Sequence, residues 1–488
     1  MKANNVHRIA APLTAILIWI FADLVPGRPE VTAMAAIALW MAWWWMTEAV
    51  HLAVTSLLPF LLFPLLGIAS AKDVARDYMD NIIFLFIGGF ILAFAIERWN
   101  LHKRIALRIL MAVGTKPANI LLGVMLTSYL LSMWISNTAT VMMLLAAVFA
   151  LIAQVEIHVQ NEKDRNKMAT ALLIGLAYSA TIGGLATLVG TPTNMIFYRA
   201  WKDNFGTDEV NFYSWMQLGL PVSFLLLLFT WWLLNFLFIR KNERPQIDRH
   251  YFRDELKKLG PMRFEEKYVL AVFTMTALLW FTRNPIDFGA FRFKGWASLF
   301  GEYAAYIEDS TVAIFSALIL FLTPSLSEKG TSLISWKEVE RLPFDIILLF
   351  GGGFALASGF ESSGLGTWMA GHLEGLQHLS LPVMIAVICI TIALISEFAS
   401  NVASIQLMIP ILLALYKPLG IPPLALLIPA TMAASLGFMM PVATAPNTIV
   451  YGSRRIRVKD MYRTGFWVDI VGVLLVTFAG LLLSGESF

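Results

Sequence analysis

The chain has 488 residues, of which 58% are hydrophobic and 14% are charged, and its net charge is +3. An ordinary soluble protein carries about 25% charged residues. The low charged fraction of this chain therefore excludes an ordinary soluble protein and favours a chain that lies mostly in lipid. The small net charge gives no indication of nucleic-acid binding, and the single cysteine, Cys389, excludes an intramolecular disulfide or a cysteine-based metal site.

Apolar segments recur along the chain at about the 20-residue length that a helix needs to cross a bilayer. They are continuous rather than alternating, which predicts an all-α polytopic membrane protein and not a β-barrel, since backbone groups in lipid must be bonded internally. We expect about eleven transmembrane helices, near residues 9–25, 32–47, 52–68, 81–97, 168–189, 216–239, 268–283, 309–324, 344–361, 423–442 and 466–484. Two further apolar segments lie at 118–155 and 381–415.

The distribution of basic residues predicts the orientation of the chain. If the segments 118–155 and 381–415 each enter and leave on one side, most of the 36 lysine and arginine residues fall on the side of the N-terminus. The segment 240–267 contributes the largest share of them. The positive-inside rule then places the N-terminus in the cytoplasm and the C-terminus outside. The sequence therefore predicts a multi-pass protein of the plasma membrane, the inner membrane of a bacterium.

Three pairs of similar motifs follow one another in the same order in the two halves of the chain. They are residues 82–97 with 346–361, 132–139 with 396–403, and 190–194 with 443–447. The first pair shares a glycine-rich centre, and the second shares Ser-Asn. Because an odd number of predicted spans separates equivalent helices, we expect the halves to form an inverted repeat. Inverted repeats with interrupted helices are typical of secondary transporters.

The Ser-Asn pairs interrupt the apolar segments 118–155 and 381–415, which predicts that each segment is a re-entrant helical hairpin with its tip in mid-membrane. Irregular backbone at that depth is tolerated only where it is buried in protein or lines a cavity. Unwound carbonyls, with Ser and Asn oxygens, suit a small hard cation such as sodium. Helix N-termini at the same breaks suit an anion. The sequence therefore predicts adjacent cation and anion sites.

A single motif of this kind is weak evidence for a site. A lone Ser-Asn pair more often bonds a neighbouring helix, and a lone Thr-Pro more often kinks its own. Their repetition in register in both halves favours a functional site. Glu397 lies beside the second tip, and an acid inside the membrane is a functional candidate. Met133 stands at the equivalent place in the first half, which favours a supporting role for Glu397 rather than a ligand role.

These motifs resemble those of the divalent anion/sodium symporter (DASS) family, which includes dicarboxylate and citrate transporters of bacteria and animals. The resemblance covers nearly the whole chain. It rests on Ser136-Asn137-Thr138, Ser400-Asn401-Val402, Gly190-Thr191-Pro192 and Ala443-Thr444-Ala445-Pro446-Asn447. It implies a homodimer in which a scaffold domain dimerises and a transport domain with both hairpins moves like an elevator.

We divide the chain into four units on this basis. They are 1–80, the first-half scaffold helices; 81–215, the first-half helix, hairpin and broken helix; 216–343, the linking and second-half scaffold helices with a cytoplasmic loop; and 344–488, the second-half helix, hairpin, broken helix and last span.

The resemblance also implies the residues of the transport site. One sodium site uses the first tip and the backbone of the following break, namely Ser132, Ser136, Asn137 and Gly190. The other uses the equivalent groups Ser396, Ala399, Ser400, Asn401 and Ala443. The dicarboxylate lies between residues of both halves, namely Asn137, Thr138, Pro192, Asn401, Val402, Thr444 and Ala445.

This chain departs from the commonest family pattern at two positions of the anion site. Val402 stands where many members have threonine, and Ala445 stands where many have proline. The missing hydroxyl at position 402 removes one donor to a substrate carboxylate. We therefore expect two similar cation sites and an asymmetric anion site, with substrate choice residing in that asymmetry.

The predicted function is sodium-coupled uptake of succinate-, malate- or fumarate-like dicarboxylates, or of citrate, by elevator-type alternating access. Two alternatives of the same fold stay open: a sodium-independent dicarboxylate exchanger and a carrier of an inorganic divalent anion such as sulfate. The expected partners are the substrate, sodium ions, the lipid bilayer and a second copy of the chain. We expect no enzyme activity and no cofactor other than the coupling ion, because the spans contain no HExxH, P-loop lysine or Ser/His/Asp grouping.

Overall fold

The computed structural model describes residues 2–158, 161–206, 209–239, 249–287, 292–372 and 379–485. Residues 240–248 of the basic segment 240–267 lie outside the described residues, as do 288–291 of the third predicted unit and 486–488 of the fourth. Nearly all of the described chain is helical. The prediction of an all-α polytopic membrane protein is confirmed.

Helices follow one another along the described chain, and the longer connections include those between α15 and α16 and between α21 and α22. Those of the first part are α1 (Lys2–Phe21), α2 (Pro29–Thr47), α3 (Leu52–Thr55), α4 (Leu58–Leu65), α5 (Ala71–Tyr78), α6 (Asn81–Arg98), α7 (Leu101–Val113), α8 (Pro117–Ser132), α9 (Asn137–His158), α10 (Glu162–Gly184) and α11 (Pro192–Phe205). Those of the middle are α12 (Phe212–Phe238), α13 (Arg249–Lys258), α14 (Phe264–Phe281), a 3-10 helix (Trp296–Tyr306), α15 (Asp309–Leu322) and α16 (Trp336–Val339). Those of the last part are α17 (Phe344–Ser363), α18 (Leu365–His372), α19 (Leu381–Phe398), α20 (Asn401–Leu419), α21 (Pro423–Ala433), α22 (Ala445–Gly452) and α23 (Val458–Leu483).

The only sheet among the described residues is a small antiparallel pair, β1 (Ile286–Asp287) and β2 (Arg292–Phe293). Seven helices in the described chain are long and apolar enough to cross a membrane, or eight if the 3-10 helix and α15, which are bent by 108°, form one span. Further apolar helices are shorter, among them α8 and α21. The eleven spans and the re-entrant course of the two hairpins therefore stay predictions.

Glycines of the first repeated motif allow close helix packing. A Cβ atom at Gly88 of α6 would lie 2.6 Å from the Cβ of Ala313 on α15, and one at Gly352 of α17 would lie 2.5 Å from the Cβ of Ser56. The equivalent rings of Phe86 and Phe350 contact each other edge to face, with centroids 5.1 Å apart. Contact between equivalent residues is what a pseudo-two-fold axis between α6 and α17 would produce, and the inverted orientation of the halves stays a prediction.

A buried carboxylate fixes the beginning of α14 to the loop that follows α15. The oxygens of Glu265 accept hydrogen bonds from the Ser325 hydroxyl at 2.9 Å, the Leu326 amide at 2.9 Å, and the Ser327 amide and hydroxyl at 2.7 and 3.0 Å. Burial opposes the charge, but these hydrogen bonds outweigh it and lower the pKa of Glu265 to about 2.

Replacing Glu265 by glutamine is expected to lower the free energy of unfolding by about 2–3 kcal/mol at neutral pH. The reason is that the buried carboxylate, which accepts four hydrogen bonds, is replaced by a neutral amide. The folded-state pKa lies below the ordinary value of 4.5. The stabilisation is therefore complete above that pH and decreases as the pH falls toward about 2. Melting curves in detergent should show a gap between the wild type and E265Q that narrows on acidification. The exposed Glu302 serves as control through Glu302→Gln, and a gap that does not change with pH would contradict this account.

Candidate functional site

The first Ser-Asn motif lies at the break between α8 and α9. The Ser132 hydroxyl donates to Asn137 Oδ1 at 2.7 Å, and the Ala139 amide donates to the Ser136 hydroxyl at 3.2 Å. Ser132 is buried, whereas Ser136 and Asn137 are half-buried. The break therefore gathers two hydroxyl oxygens and one amide oxygen at the beginning of α9.

The second Ser-Asn motif, at the break between α19 and α20, repeats the Ser–Asn contact. The Ser396 hydroxyl lies 2.7 Å from Asn401 Oδ1 and 2.5 Å from the carbonyl oxygen of Ala434. Ser396 is buried, and Ser400 and Asn401 are half-buried. The repeated Ser-Asn letters thus correspond to the same side-chain contact in both halves, whereas the bond to Ala434 belongs to the second motif.

A buried asparagine holds each of the two longer breaks, between α10 and α11 and between α21 and α22. Asn194 Nδ2 donates to the carbonyls of Gly184 at 3.0 Å and Thr187 at 2.8 Å. Asn447 Nδ2 donates to the carbonyls of Gly437 and Met440, both at 3.1 Å. In each half the two carbonyl acceptors precede the asparagine by ten and by seven residues. The two breaks are therefore held by the same pattern of hydrogen bonds.

Each tip lies directly against the break of its own half. A Cβ atom at Gly184 would lie 2.7 Å from Asn137 Oδ1 and 3.1 Å from the carbonyl oxygen of Gly190. A Cβ atom at Gly437 would lie 3.4 Å from the carbonyl oxygen of Ser396 and 3.6 Å from Asn401 Oδ1. Glycine at position 184 lets the tip and the break approach closely, whereas a Cβ atom at position 437 would meet the tip at ordinary contact distance. Backbone and side-chain oxygens therefore cluster around Asn137 in one half and Asn401 in the other.

The two halves also meet each other at the breaks. The hydroxyls of Thr193 and Ser435 lie 3.0 Å apart, and both residues are buried. Helix α11 packs against α20, and α22 packs against α9. The helix that follows each longer break thus contacts the helix that follows the Ser-Asn motif of the opposite half. Four helices begin in this region, at Asn137, Pro192, Asn401 and Ala445, and their N-termini carry partial positive charge.

The predicted anion ligands differ in how accessible they are. Thr138 and Ala445 are exposed, and Pro192 and Val402 are half-buried. Thr444 is only 9% exposed, and its hydroxyl accepts a hydrogen bond from the Asn447 amide at 3.3 Å. Within the described chain, Asn137 Nδ2 and Asn401 Nδ2 have no acceptor. These two amide groups therefore retain donors for a carboxylate.

A small cavity adjoins the first tip. Its volume is about 20 Å³, and it is lined among others by Trp134, Ser136, Gly190 and Pro192, with Gly89 of α6 opposite. A cavity of this size has room for one water-sized ligand. The remaining predicted sodium-site residues, Ala399 and Ala443, are buried beside the second tip.

Glu397 connects the second tip to the second break. Its two carboxylate oxygens accept hydrogen bonds from the backbone amides of Met439 and Met440, both at 2.9 Å. The side chain is 1% exposed. Through these contacts Glu397 binds the backbone of the break and not the Ser–Asn oxygens. This agrees with the prediction that Glu397 is a helper and not a ligand.

Several residues that form this site were not among the predicted ligands. Asn194 and Asn447 belong to the third repeated motif, and their matching positions were the available signal. Thr187 donates a hydrogen bond to the Met133 carbonyl at the first tip. Neither this contact nor the one between Thr193 and Ser435 could be predicted from the repeat, because these residues are not repeated in the other half.

Comparisons with known proteins bear on the whole chain. The family described as "Sodium:sulfate symporter transmembrane region" matches residues 3–484. A protein of Staphylococcus saprophyticus called sodium-dependent dicarboxylate transporter SdcS is 39% identical over 485 residues, which cover 97% of this chain and 91% of that protein. A protein of the same name from Staphylococcus aureus is 40% identical over 448 residues, covering 90% and 84%.

Two solved structures resemble the fold. The Neisseria gonorrhoeae protein MtrF has a TM-score of 0.59 at 11% sequence identity, with 97% of each chain covered. The Alcanivorax borkumensis transporter YdaH has a TM-score of 0.53 at 13% identity, with 93% of this chain and 98% of that chain covered. At such low identity the likeness extends to the fold alone.

Proposed function

The chain belongs to the sodium:sulfate symporter transmembrane family, and from this premise we propose that it is a secondary active transporter coupling sodium entry to the uptake of di- or tricarboxylates. The relatives that are 39% and 40% identical are called sodium-dependent dicarboxylate transporters, which supports both the ion and the substrate class. Succinate, malate and fumarate are the expected substrates, with citrate as the tricarboxylate alternative.

The observation that carries the proposal is the matched geometry of the two breaks. In each half a Ser hydroxyl and an Asn amide oxygen lie 2.7 Å apart beside unwound backbone. Neutral oxygens in this arrangement suit sodium at each tip. The donors left on Asn137 and Asn401, with the helix N-termini around them, suit the carboxylates of one substrate held between the halves.

Sodium and substrate depend on each other in this proposal. Sodium ions bind first and order the tips, and their charge then offsets the carboxylates. In a low-dielectric site an anion without such compensation would be costly. The transport cycle is an elevator-like movement of the hairpin-bearing units 81–215 and 344–488, in a homodimer formed by the scaffold units. The N-terminus faces the cytoplasm and the C-terminus faces outside in this arrangement.

Restoring a hydroxyl at position 402 is expected to shift substrate preference. Val402 is half-buried and packs against the hydrophobic core, one residue after Asn401. Threonine there adds one donor to a carboxylate, an interaction of about 1.4 kcal/mol, which corresponds to about tenfold tighter binding of succinate. The measurement is the KM for sodium-driven succinate and citrate uptake. The same substitution at the exposed Val387 is the control, and unchanged KM values for both substrates would remove Val402 from the anion site.

The family description itself favours testing a second candidate, transport of an inorganic divalent anion such as sulfate. Thermal stabilisation of the purified protein by succinate, malate, fumarate, citrate and sulfate, each with and without sodium, tests the proposal. We expect stabilisation by a carboxylate only when sodium is present. Stabilisation by sulfate and by none of the carboxylates would contradict the proposal and favour the inorganic-anion carrier. Stabilisation by carboxylates to the same extent with and without sodium would favour the exchanger.

A further inference from the structure

A large basic cavity lies away from the Ser–Asn motifs, where the ends of α9, α12 and α22 meet the beginnings of α10 and α23. Its volume is about 990 Å³. Six cationic side chains line it, together with three acidic ones; the cations are Lys163, Lys167, Arg454, Arg455, Arg457 and Arg463. None of these residues belongs to the transport site described above.

Only part of this positive charge is neutralised by the protein. Arg455 forms an ion pair with Glu156, and Arg457 forms one with Asp460 at 2.8 Å. Within the described ranges, Lys163, Lys167, Arg454 and Arg463 have no carboxylate within ion-pair distance. Four cations thus face a cavity whose remaining acid, Glu162, pairs with none of them. The cavity carries a net positive charge that suits an anion.

The position of the cavity indicates where that anion resides. The span α12 ends at Phe238, and the span α23 begins at Val458. Leu237 and Phe238 contribute an apolar part of the cavity lining. The cavity therefore lies at the level where two membrane-crossing helices leave the hydrocarbon, which is the level of lipid headgroups.

Exposed aromatic side chains continue from the cavity along the same two helices. On α12, Trp232 is 53% and Phe236 is 72% exposed; on α23, Tyr462, Phe466 and Trp467 are 51%, 41% and 49% exposed. Aromatic residues of this kind are typical of the membrane interface. A ligand with a charged head and apolar chains would find partners for both of its parts here.

We propose that this cavity binds the phosphate headgroup of an anionic phospholipid, whose acyl chains lie along α12 and α23. Arginine and lysine donate charge-assisted hydrogen bonds to phosphate oxygens, and basic pockets between membrane helices on the cytoplasmic side bind acidic headgroups. Free inorganic phosphate would use the cations but not Phe238 or the exposed aromatic residues. The apolar part of the lining therefore favours lipid as the source of the phosphate.

The test is lipid binding to the purified full-length protein, measured by native mass spectrometry and by melting temperature. Phosphatidylglycerol is compared with phosphatidylcholine of the same acyl chains and with inorganic phosphate. We expect phosphatidylglycerol to be retained and to raise the melting temperature, and the other two to have little effect. Equal retention of the two lipids, or stabilisation by inorganic phosphate as large as that by phosphatidylglycerol, would overturn the proposal. This comparison uses the wild-type protein.

The double variant Arg454→Gln/Arg463→Gln locates the site. Each cation near a membrane surface contributes about 1 kcal/mol to binding acidic lipid, so the loss of two should weaken phosphatidylglycerol binding at least about tenfold. Lys103→Gln/Arg108→Gln, at two exposed cations of α7 that do not line the cavity, removes the same charge and should leave binding nearly unchanged. Equal weakening by both double variants would show a general surface-charge effect and contradict the assignment. If the test variant does not fold, the wild-type comparison of the two lipids still decides.

Discussion

Replacing Asn137 or Asn401 by alanine is expected to lower sodium-driven uptake of dicarboxylate by about 10–100-fold. Each amide oxygen lies 2.7 Å from a serine hydroxyl at its tip, and each Nδ2 group has no acceptor among the described residues. In the proposed site, alanine would therefore remove a cation ligand and an anion donor together. Losing one interaction with a charged group costs about 1.5–3 kcal/mol, and each 1.4 kcal/mol corresponds to about a factor of ten.

The control for these variants is Asn119→Ala, near the beginning of α8 in the same predicted hairpin. Asn119 donates to the Val113 carbonyl at 2.8 Å and does not contact the tip motifs. Initial uptake rates should be divided by the amount of protein in the proteoliposomes, and sodium concentration should be varied. We expect both tip variants to need more sodium, whereas N119A should resemble the wild type. Wild-type rates and sodium dependence in N137A and N401A would exclude these asparagines from the site.

Replacing Asn194 or Asn447 by aspartate is expected to produce the largest loss of stability among the variants considered. Each Nδ2 group donates to two backbone carbonyls of a break, and both side chains are fully buried. Aspartate keeps the shape but removes the donor, so a buried carboxylate would face two carbonyl oxygens. Unpaired buried groups cost about 1–3 kcal/mol each, and more when charged.

Melting temperature in detergent measures this effect, and uptake measures its consequence for transport. The matched control is Asn204→Asp, since Asn204 Nδ2 donates to the Ala200 carbonyl at 2.9 Å from an exposed position on α11. We expect N194D and N447D to melt well below both N204D and the wild type. Similar melting temperatures for N194D and N204D would mean that the breaks are held by other contacts.

The sequence predicted the features that depend on neighbouring residues. The family resemblance assigned Ser132 and Asn137 to one site and Ser396 and Asn401 to another. In the structure each of these Ser–Asn pairs is in contact, across only five residues of the chain. The interruptions after α10 and α21 were predicted in the same way, because threonine and proline occur in both stretches, 190–194 and 443–447. The family assignment that rested on these motifs is confirmed.

Long-range contacts were not predictable in the same way. Glu397 binds amides 42 and 43 residues further along the chain, and no local pattern indicates which backbone will face a buried acid. The number of spans also could not be fixed from hydropathy. Breaks shorten some apolar helices, such as α21, below the length of a full span, so a count of apolar segments differs from a count of spanning helices.

The asymmetry between the halves has a structural counterpart. Thr138 is exposed beside the first tip, whereas Val402, its equivalent, is half-buried and packs against hydrophobic side chains. At the breaks, Pro192 is half-buried and Ala445 is exposed. The Ser–Asn contact is thus alike in the two halves, whereas the residues predicted for the anion differ in side chain and in exposure. This distribution is consistent with the expectation that substrate choice resides in the asymmetry between the two halves.

The most direct test of the proposed function is uptake of radiolabelled succinate into proteoliposomes that contain the purified protein. An inward sodium gradient is compared with equal concentrations of potassium and of choline, in vesicles with and without internal succinate. The proposal predicts accumulation only with the sodium gradient and without any need for internal substrate. Equal uptake in potassium or choline, or uptake that requires preloaded succinate and ignores sodium, would contradict it.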